Sequence, residues 1–172
     1  MKRIGIMSDT HSCWDDRYAL HFSDCHEVWH AGDIGCIDIL NRLRGAVPVV
    51  RAVSGNIDSG IVRRTCPEAL RFTLEGIPVL LTHVGGYPGR YSPGIKKLLK
   101  EEGIKLFVDG HSHILKVMYD HELELLHINP GAAGNQGWQK ERTLIKLTLD
   151  SGDMRDLEVI HLGTRRLQPD GN

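Results

Sequence analysis

Leu106-Phe107-Val108-Asp109-Gly110-His111-Ser112-His113 decides how the chain is read. A short apolar run stops at a glycine, and two imidazoles follow with one residue between them. Read as a buried strand, Leu106 to Val108 delivers the chain to Gly110, which lets it leave the sheet sharply. His111 and His113 then project from a loop above the strand's carboxyl end. Imidazoles placed this way need partners, and four other segments have the same design. Ile4 to Met7 leads to Asp9 and His11, and Val28 to Ala31 leads to Asp33. Val47 to Val53 leads to Asn56 and Asp58, and Ile77 to Leu81 leads to His83.

Between these runs the periodicity alternates. A helix is predicted over Trp14 to Phe22 and a second at Ile37, Ile39, Leu40 and Leu43, stopped by Gly45. Strand and helix alternation of this kind predicts a parallel sheet with crossover helices. After Pro67 the pattern turns to β: Leu70 to Leu74 and Ile77 to Leu81 flank Glu75-Gly76, a tight hairpin. A long loop of turn residues from Val84 to Gly94 precedes one more helix, Ile95 to Glu102, closed by Gly103. Leu115 to Tyr119, Leu123 to Ile128, Thr143 to Leu149 and Leu157 to Leu162 then read as strands. Their breaks fall at Asn129-Pro130-Gly131 and Asp150 to Asp153. Residues 1–165 are expected to form a single domain, and 166–172 a frayed tail.

The bulk properties set limits. The 172 residues suffice for a core without disulfides, and 41% hydrophobic with 25% charged residues is ordinary globular composition. A formal net charge of -1 gives no basis for a nucleic-acid groove or for a surface drawn to anionic lipid. Cys13, Cys25, Cys36 and Cys66 are scattered, and the amino terminus meets Asp9 before any sizeable apolar stretch forms. No segment has the length of a membrane span, so the expected location is the cytoplasm. Oligomeric state is left open; β edges in the carboxyl-terminal half would permit a dimer or tetramer.

Side by side, the five loops supply Asp9, His11, Asp33, Asn56, His83, His111 and His113. Three oxygen donors and four imidazoles suit divalent ions such as Mn, Fe, Zn, Ni or Mg, and the thiolates of a structural zinc site are missing. Seven ligands are too many for one tetrahedral ion and fit two. Asp33 stands alone in its loop and is assigned the bridge, across roughly 3.5–4 Å if the site is of the two-metal hydrolytic type.

The series D-x-H, G-D, G-N-x-D, T-H and G-H-x-H, with I-N-P-G at Ile128 to Gly131, resembles the calcineurin-like metallophosphoesterase superfamily, in particular its small YfcE-like phosphodiesterase branch. The resemblance implies an α/β fold, a four-layer α/β/β/α sandwich. It implies that Asp9, His11 and His113 hold one divalent ion, that Asn56, His83 and His111 hold the other, and that Asp33 lies between. The expected activity is metal-dependent hydrolysis of a small phosphodiester, a nucleotide among the candidates, by hydroxide activated at the dinuclear site, with Mn first among the metals. Two divalent ions, two carboxylates and a hydroxide leave about +1 to meet a phosphodiester anion. Two other functions fit the same pattern: a scaffold like the retromer subunit of this fold, and a phosphomonoesterase or pyrophosphatase.

The chain departs from the wider superfamily twice. Ile57 follows Gly55-Asn56 where many members have histidine, and Val84-Gly85 follows His83 where the family pattern is H-G-H. Asp58 reads either as an acceptor that orients a metal-binding histidine or as a turn cap, and it is placed with Asp33 and Asn56 nearest the chemistry. Tyr87, Arg90 and Tyr91 read as a substrate lid or as a solvated loop. His30 is expected to support the site by a hydrogen bond. His21, His26, His121, His127 and His161 read as surface or satisfied core histidines, and Trp14, Trp29 and Trp138 as packing residues.

Overall fold

A computed structural model describes residues 1–165. The tail predicted for 166–172 lies outside the described residues. Strands β1 (Lys2–Met7), β2 (Glu27–His30) and β3 (Val49–Ala52) run parallel, and β11 (Glu141–Asp150) and β12 (Asp153–Thr164) extend this sheet antiparallel in the order β12-β11-β1-β2-β3. A second sheet has the order β4-β5-β8-β10-β9. Its middle strands β5 (Ile77–Thr82), β8 (Leu106–Val108) and β10 (Leu125–Pro130) are parallel, and β4 (Ala69–Leu74) and β9 (Leu115–Asp120) close its edges antiparallel.

Alternation along each strand sorts the side chains into layers, because successive residues face opposite sides of a sheet. Ile4, Ile6, Trp29 and Val53 from the first sheet meet Val79, Leu81, Leu106 and Val108 from the second, all buried. Met7 and Val28 turn outward, under α1 (Arg17–Phe22), α2 (Ile37–Ala46) and α3 (Gly60–Thr65). On the other side Leu80 and Phe107 pack under α4 (Ile95–Glu101). Helix, sheet, sheet and helix make the four layers that the resemblance implied.

Several boundaries differ from expectation for local reasons. The first helix begins at Arg17, not Trp14: Asp15 Oδ1 accepts from the Arg17 amide at 3.0 Å and Asp16 from Trp14 Nε1 at 2.7 Å. Such side-chain bonds compete with helix formation. Helix α2 runs through Gly45 to Ala46. Strand β10 continues through the predicted break to Pro130, whose partner is Leu115 of β9; its pairing with β8 has ended at Ile128, so the proline lies where one neighbour has already left. Within the long loop a two-stranded ribbon forms, β6 (Gly86–Tyr87) against β7 (Arg90–Tyr91).

Candidate metal centre

Register brings the strand ends level: Met7 lies beside His30 and His30 beside Ala52 in one sheet, and Leu81 beside Val108 in the other. The loops beyond them meet across the sandwich. Backbone bonds sew them together: Asp9 N to Gly32 O at 3.0 Å, His11 N to Asp33 O at 3.0 Å, and Gly110 N to His83 O at 3.0 Å. Glycine is needed where they touch. A Cβ on Gly55 would collide with the Asp33 backbone and carboxylate, and one on Gly110 with Ser8 Oγ.

Asp9, His11, Asp33, His111 and His113 all have positive φ, between 45° and 66°. A left-handed conformation costs a non-glycine residue roughly 1–2 kcal/mol, and five such residues among seven candidate donors mark a place where backbone strain is held for a purpose.

The structure brings all seven predicted donors together. Ligand atoms of Asp9, His11, Asp33 and His113 lie within 4.8 Å of one another, as do those of Asp33, His83 and His111. Asp33 belongs to both groups: Oδ2 is 3.5 Å from His11 Nε2 and Oδ1 is 3.2 Å from His83 Nε2. His113 Nε2 is 3.1 Å from Asp9 Oδ1. Asn56 Oδ1 joins the second group, 3.0 Å from His83 Nε2 and 2.9 Å from His111 Nδ1.

The rings are oriented from behind. His83 Nδ1 donates to Ala31 O at 2.7 Å and His113 Nδ1 to Gln139 Oε1 at 2.8 Å, so each turns Nε2 inward. Burial alone would lower the pKa of His83; Asp33 and Asp9 outweigh it, and the value is raised. His113 is likewise raised, burial being outweighed by Asp9. Burial works to raise the Asp33 pKa, yet His83, the Ile57 amide and His11 hold it below the usual carboxylate value.

A divalent cation fits what these residues lack. Asp9 Oδ1 and His11 Nε2 are buried without a hydrogen-bond partner, a costly condition for polar atoms that a shared cation would relieve. Carboxylates, a side-chain amide oxygen and neutral imidazoles are donors suited to such an ion.

His30 supports the site as expected. It accepts from Gly32 N through Nδ1 and reaches Thr10 Oγ1 at 2.9 Å, and full burial pushes its pKa down to about 4. Of its two readings Asp58 takes the turn cap, accepting from the Gly55 amide of its own turn. Its carboxylate accepts from three backbone amides, Ile34 at 3.1 Å, Gly35 at 2.8 Å and Gly55 at 2.8 Å, so it ties the Asp33 loop to the Asn56 loop instead of orienting a histidine. It is a positioning residue. The lid reading of Val84 to Gly94 also narrows. Tyr91 donates to Asp120 Oδ2 at 2.6 Å and packs on Phe107, and Arg90 lines a different cavity with Lys96 and Glu122. Trp14 and Trp29 pack, but Trp138 is 70% exposed.

Two supports were not foreseen. Gln139 carries no spacing signal toward His113. Asn129, within the quoted I-N-P-G segment, donates to Gly110 O at 2.7 Å and to Ser112 Oγ at 3.2 Å, bracing the loop that carries both histidines.

Residues 1–152 match the calcineurin-like phosphoesterase superfamily domain, and the chain belongs to that superfamily. It is 31% identical over 166 residues, 93% of this chain and 92% of the relative, to a probable metallophosphoesterase of Methanothermobacter thermautotrophicus. Three solved structures share the fold. A predicted phosphoesterase from Streptococcus pneumoniae has a TM-score of 0.67 at 22% identity, covering 95% of this chain and 90% of that one. An archaeal phosphodiesterase has 0.70 at 19%, covering 93% and 99%. Vps29 of Entamoeba histolytica, solved with zinc, has 0.72 at 12%, covering 94% and 98%. The family implies divalent metal ions and phosphoesterase chemistry. Among the described residues no helix is long and apolar enough to cross a membrane.

Proposed function

We propose that the protein is a phosphodiesterase that hydrolyses a small phosphodiester, nucleotide esters among the candidates, with two divalent ions, manganese first among them. The observation that carries this reading is Asp33, whose two carboxylate oxygens face two separate groups of donors. In this reading Asp9, His11 and His113 hold one ion, Asn56, His83 and His111 the other, and Asp33 both. Ions bound there supply Lewis acidity and bring the pKa of water from 15.7 toward roughly 7.

The chain's own residues position and neutralise. Asp9 and Asp33 contribute two negative charges, which leaves the centre able to attract a phosphodiester anion. Ala31 O and Gln139 Oε1 hold the rear nitrogens of His83 and His113, which leaves Nε2 of each facing inward, and Asp58 ties the Asp33 loop to the Asn56 loop. Ile57, 44% exposed beside Asn56, has no proton to give a departing alkoxide. That favours esters whose leaving groups have low pKa. Residues 1–165 act as one domain in this proposal because both sheets contribute donors, and four free cysteines accord with the cytoplasm as its compartment.

Hydrolysis of bis(p-nitrophenyl) phosphate after manganese addition tests the proposal. Chelator should abolish turnover, Asp33→Asn should remove both activity and one metal equivalent, and the monoester p-nitrophenyl phosphate should be the poorer substrate. A protein that binds no metal and turns over nothing under any added ion would fit the scaffold reading, which the likeness to Vps29 makes the alternative.

A further inference from the structure

A cavity of about 180 Å³ is lined by His111 of the candidate metal centre and by Lys116 of β9. A space near 150 Å³ holds one six-membered ring, so this one has room for a short arm of a molecule bound at the centre. Its polar side chains have hydrogen bonds to give and little left to accept with. Lys116 Nζ lies 3.3 Å from the ring centroid of Tyr87, which lines the same cavity. The ring face attracts an ammonium through its quadrupole but brings no counter-charge. Among the described residues no carboxylate forms an ion pair with Lys116, and its Nζ is not one of the buried atoms left without a partner, so the charge is open to solvent.

Ser112, exposed and in the same lining, accepts twice at Oγ: from Asn129 Nδ2 at 3.2 Å and from the Ile114 amide at 3.2 Å. A hydroxyl has two lone pairs and one proton, so what Ser112 still offers is the proton. Ser92 adds a second hydroxyl to the wall. The carboxylate in the lining, Asp109, is 2% exposed, and its Oδ1 is 2.8 Å from His127 Nε2, so it is paired behind the wall. An unneutralised cation beside a spare hydroxyl proton suits an anion, because a hydrogen bond to a charged acceptor is the stronger kind. We propose that this cavity receives a second anionic group of the substrate, a carboxylate or a phosphate carried on one ester arm, with Lys116 as the specificity-determining residue and Ser112 donating beside it. The inference rests on the phosphodiesterase reading for the reacting phosphate. The first of its two tests needs neither metal nor turnover.

In that test inorganic phosphate and acetate are titrated separately into the metal-free protein while the amide resonances of Ser92 and Ser112 are followed. At least one anion should move them saturably, and the tighter of the two identifies the group. Lys116→Met should abolish the response, Lys116→Arg should restore it, and added sodium chloride should weaken it. In the second test the metal-loaded protein is given 3-carboxypropyl p-nitrophenyl phosphate and its uncharged carboxamide counterpart. KM should be about fivefold lower for the carboxylate, as a half-exposed charge pair allows, and Lys116→Met should bring the ratio to about one, the effect sitting in KM and not in kcat. Resonances that move equally in Lys116→Met, or not at all, overturn the proposal. Two esters hydrolysed with equal KM by the parent overturn it too and leave the phosphodiesterase reading standing. Anion binding that depends on Lys116 in a protein that hydrolyses nothing keeps the cavity's assignment and removes the catalytic reading instead.

Discussion

The two donor groups that share Asp33 differ in how their atoms are satisfied. In the first, Asp9 Oδ1 and His11 Nε2 are buried and unpartnered, while Asp9 Oδ2 accepts from the His111 amide at 3.1 Å and pins the opposite loop. In the second, Asn56 Oδ1 already lies within hydrogen-bond distance of both His83 and His111, and His111 is exposed. A cation entering the first group relieves atoms that have close neighbours, His113 Nε2 at 3.1 Å and Asp33 Oδ2 at 3.5 Å, but no hydrogen bond; one entering the second displaces hydrogen-bond contacts that exist. The lesson is that one carboxylate can belong to a demanding group and an undemanding one at once; in the proposed two-ion reading the ions should therefore bind in order, the first group filling before the second.

The largest effect breaks this ordering directly. Asp9→Asn should abolish the tighter binding step and lower turnover by about a thousandfold, the loss of several kcal/mol of charge stabilisation. Asn56→Ala should leave the tight step and weaken only the second, both read by calorimetric metal titration. The opposite assignment would reverse the comparison. Next, Gly55→Ala should cost about 3 kcal/mol or more in urea denaturation, since the new methyl group meets the Asp33 backbone, which has nowhere to yield. Gln139→Ala should weaken the first ion about 10–100-fold by releasing the His113 ring, with little change at the second.

The smallest effect concerns Asp15, just ahead of α1. A hydrogen bond from Arg17, joined by Arg142, holds the Asp15 pKa at about 2, below its ordinary 3.8. A depressed carboxyl pKa stabilises the fold above the unfolded value and loses that contribution as pH falls from about 4 through 2. Because Arg17 is half exposed, the loss should be about 1 kcal/mol. Other carboxylates titrate in the same window, so the test is the difference: the stability gap between the parent and Asp15→Asn should be smaller at pH 2.5 than at pH 5 by about that amount.

What was legible in the chain follows from which forces act locally. Apolar runs ending at Asp, His or Asn mark parallel strands and their carboxyl-end loops, so the donor set and its strands could be read, while the division into two stacked sheets came from the family resemblance. Helix α3 escaped because its six residues begin with Gly60 and bury only Val62, too little for a period to show. The β6 and β7 ribbon escaped because strands of two residues have no alternation. Gln139 and His127 are single residues whose partners, His113 and Asp109, lie 26 and 18 positions away, and such pairings are made by the fold alone. Asp58 was found but its partners were not, since backbone amides leave no trace in residue identity.

Asp9, His11, Asp33 and Asn56 ride on the first sheet, and His83, His111 and His113 on the second. The sandwich therefore works as a pair of calliper jaws, with the shared core of Ile6, Trp29, Val79 and Leu106 as its hinge stop. Trimming the side chain there, as in Val79→Ala, which removes two methyl groups, would let one jaw slip against the other, and the gap between the jaws is the spacing at which the proposed reading has a phosphate held. Amino acids with no polar atom thereby join the determinants of turnover, and a search for activity mutants that stops at the mouth of the site would miss them.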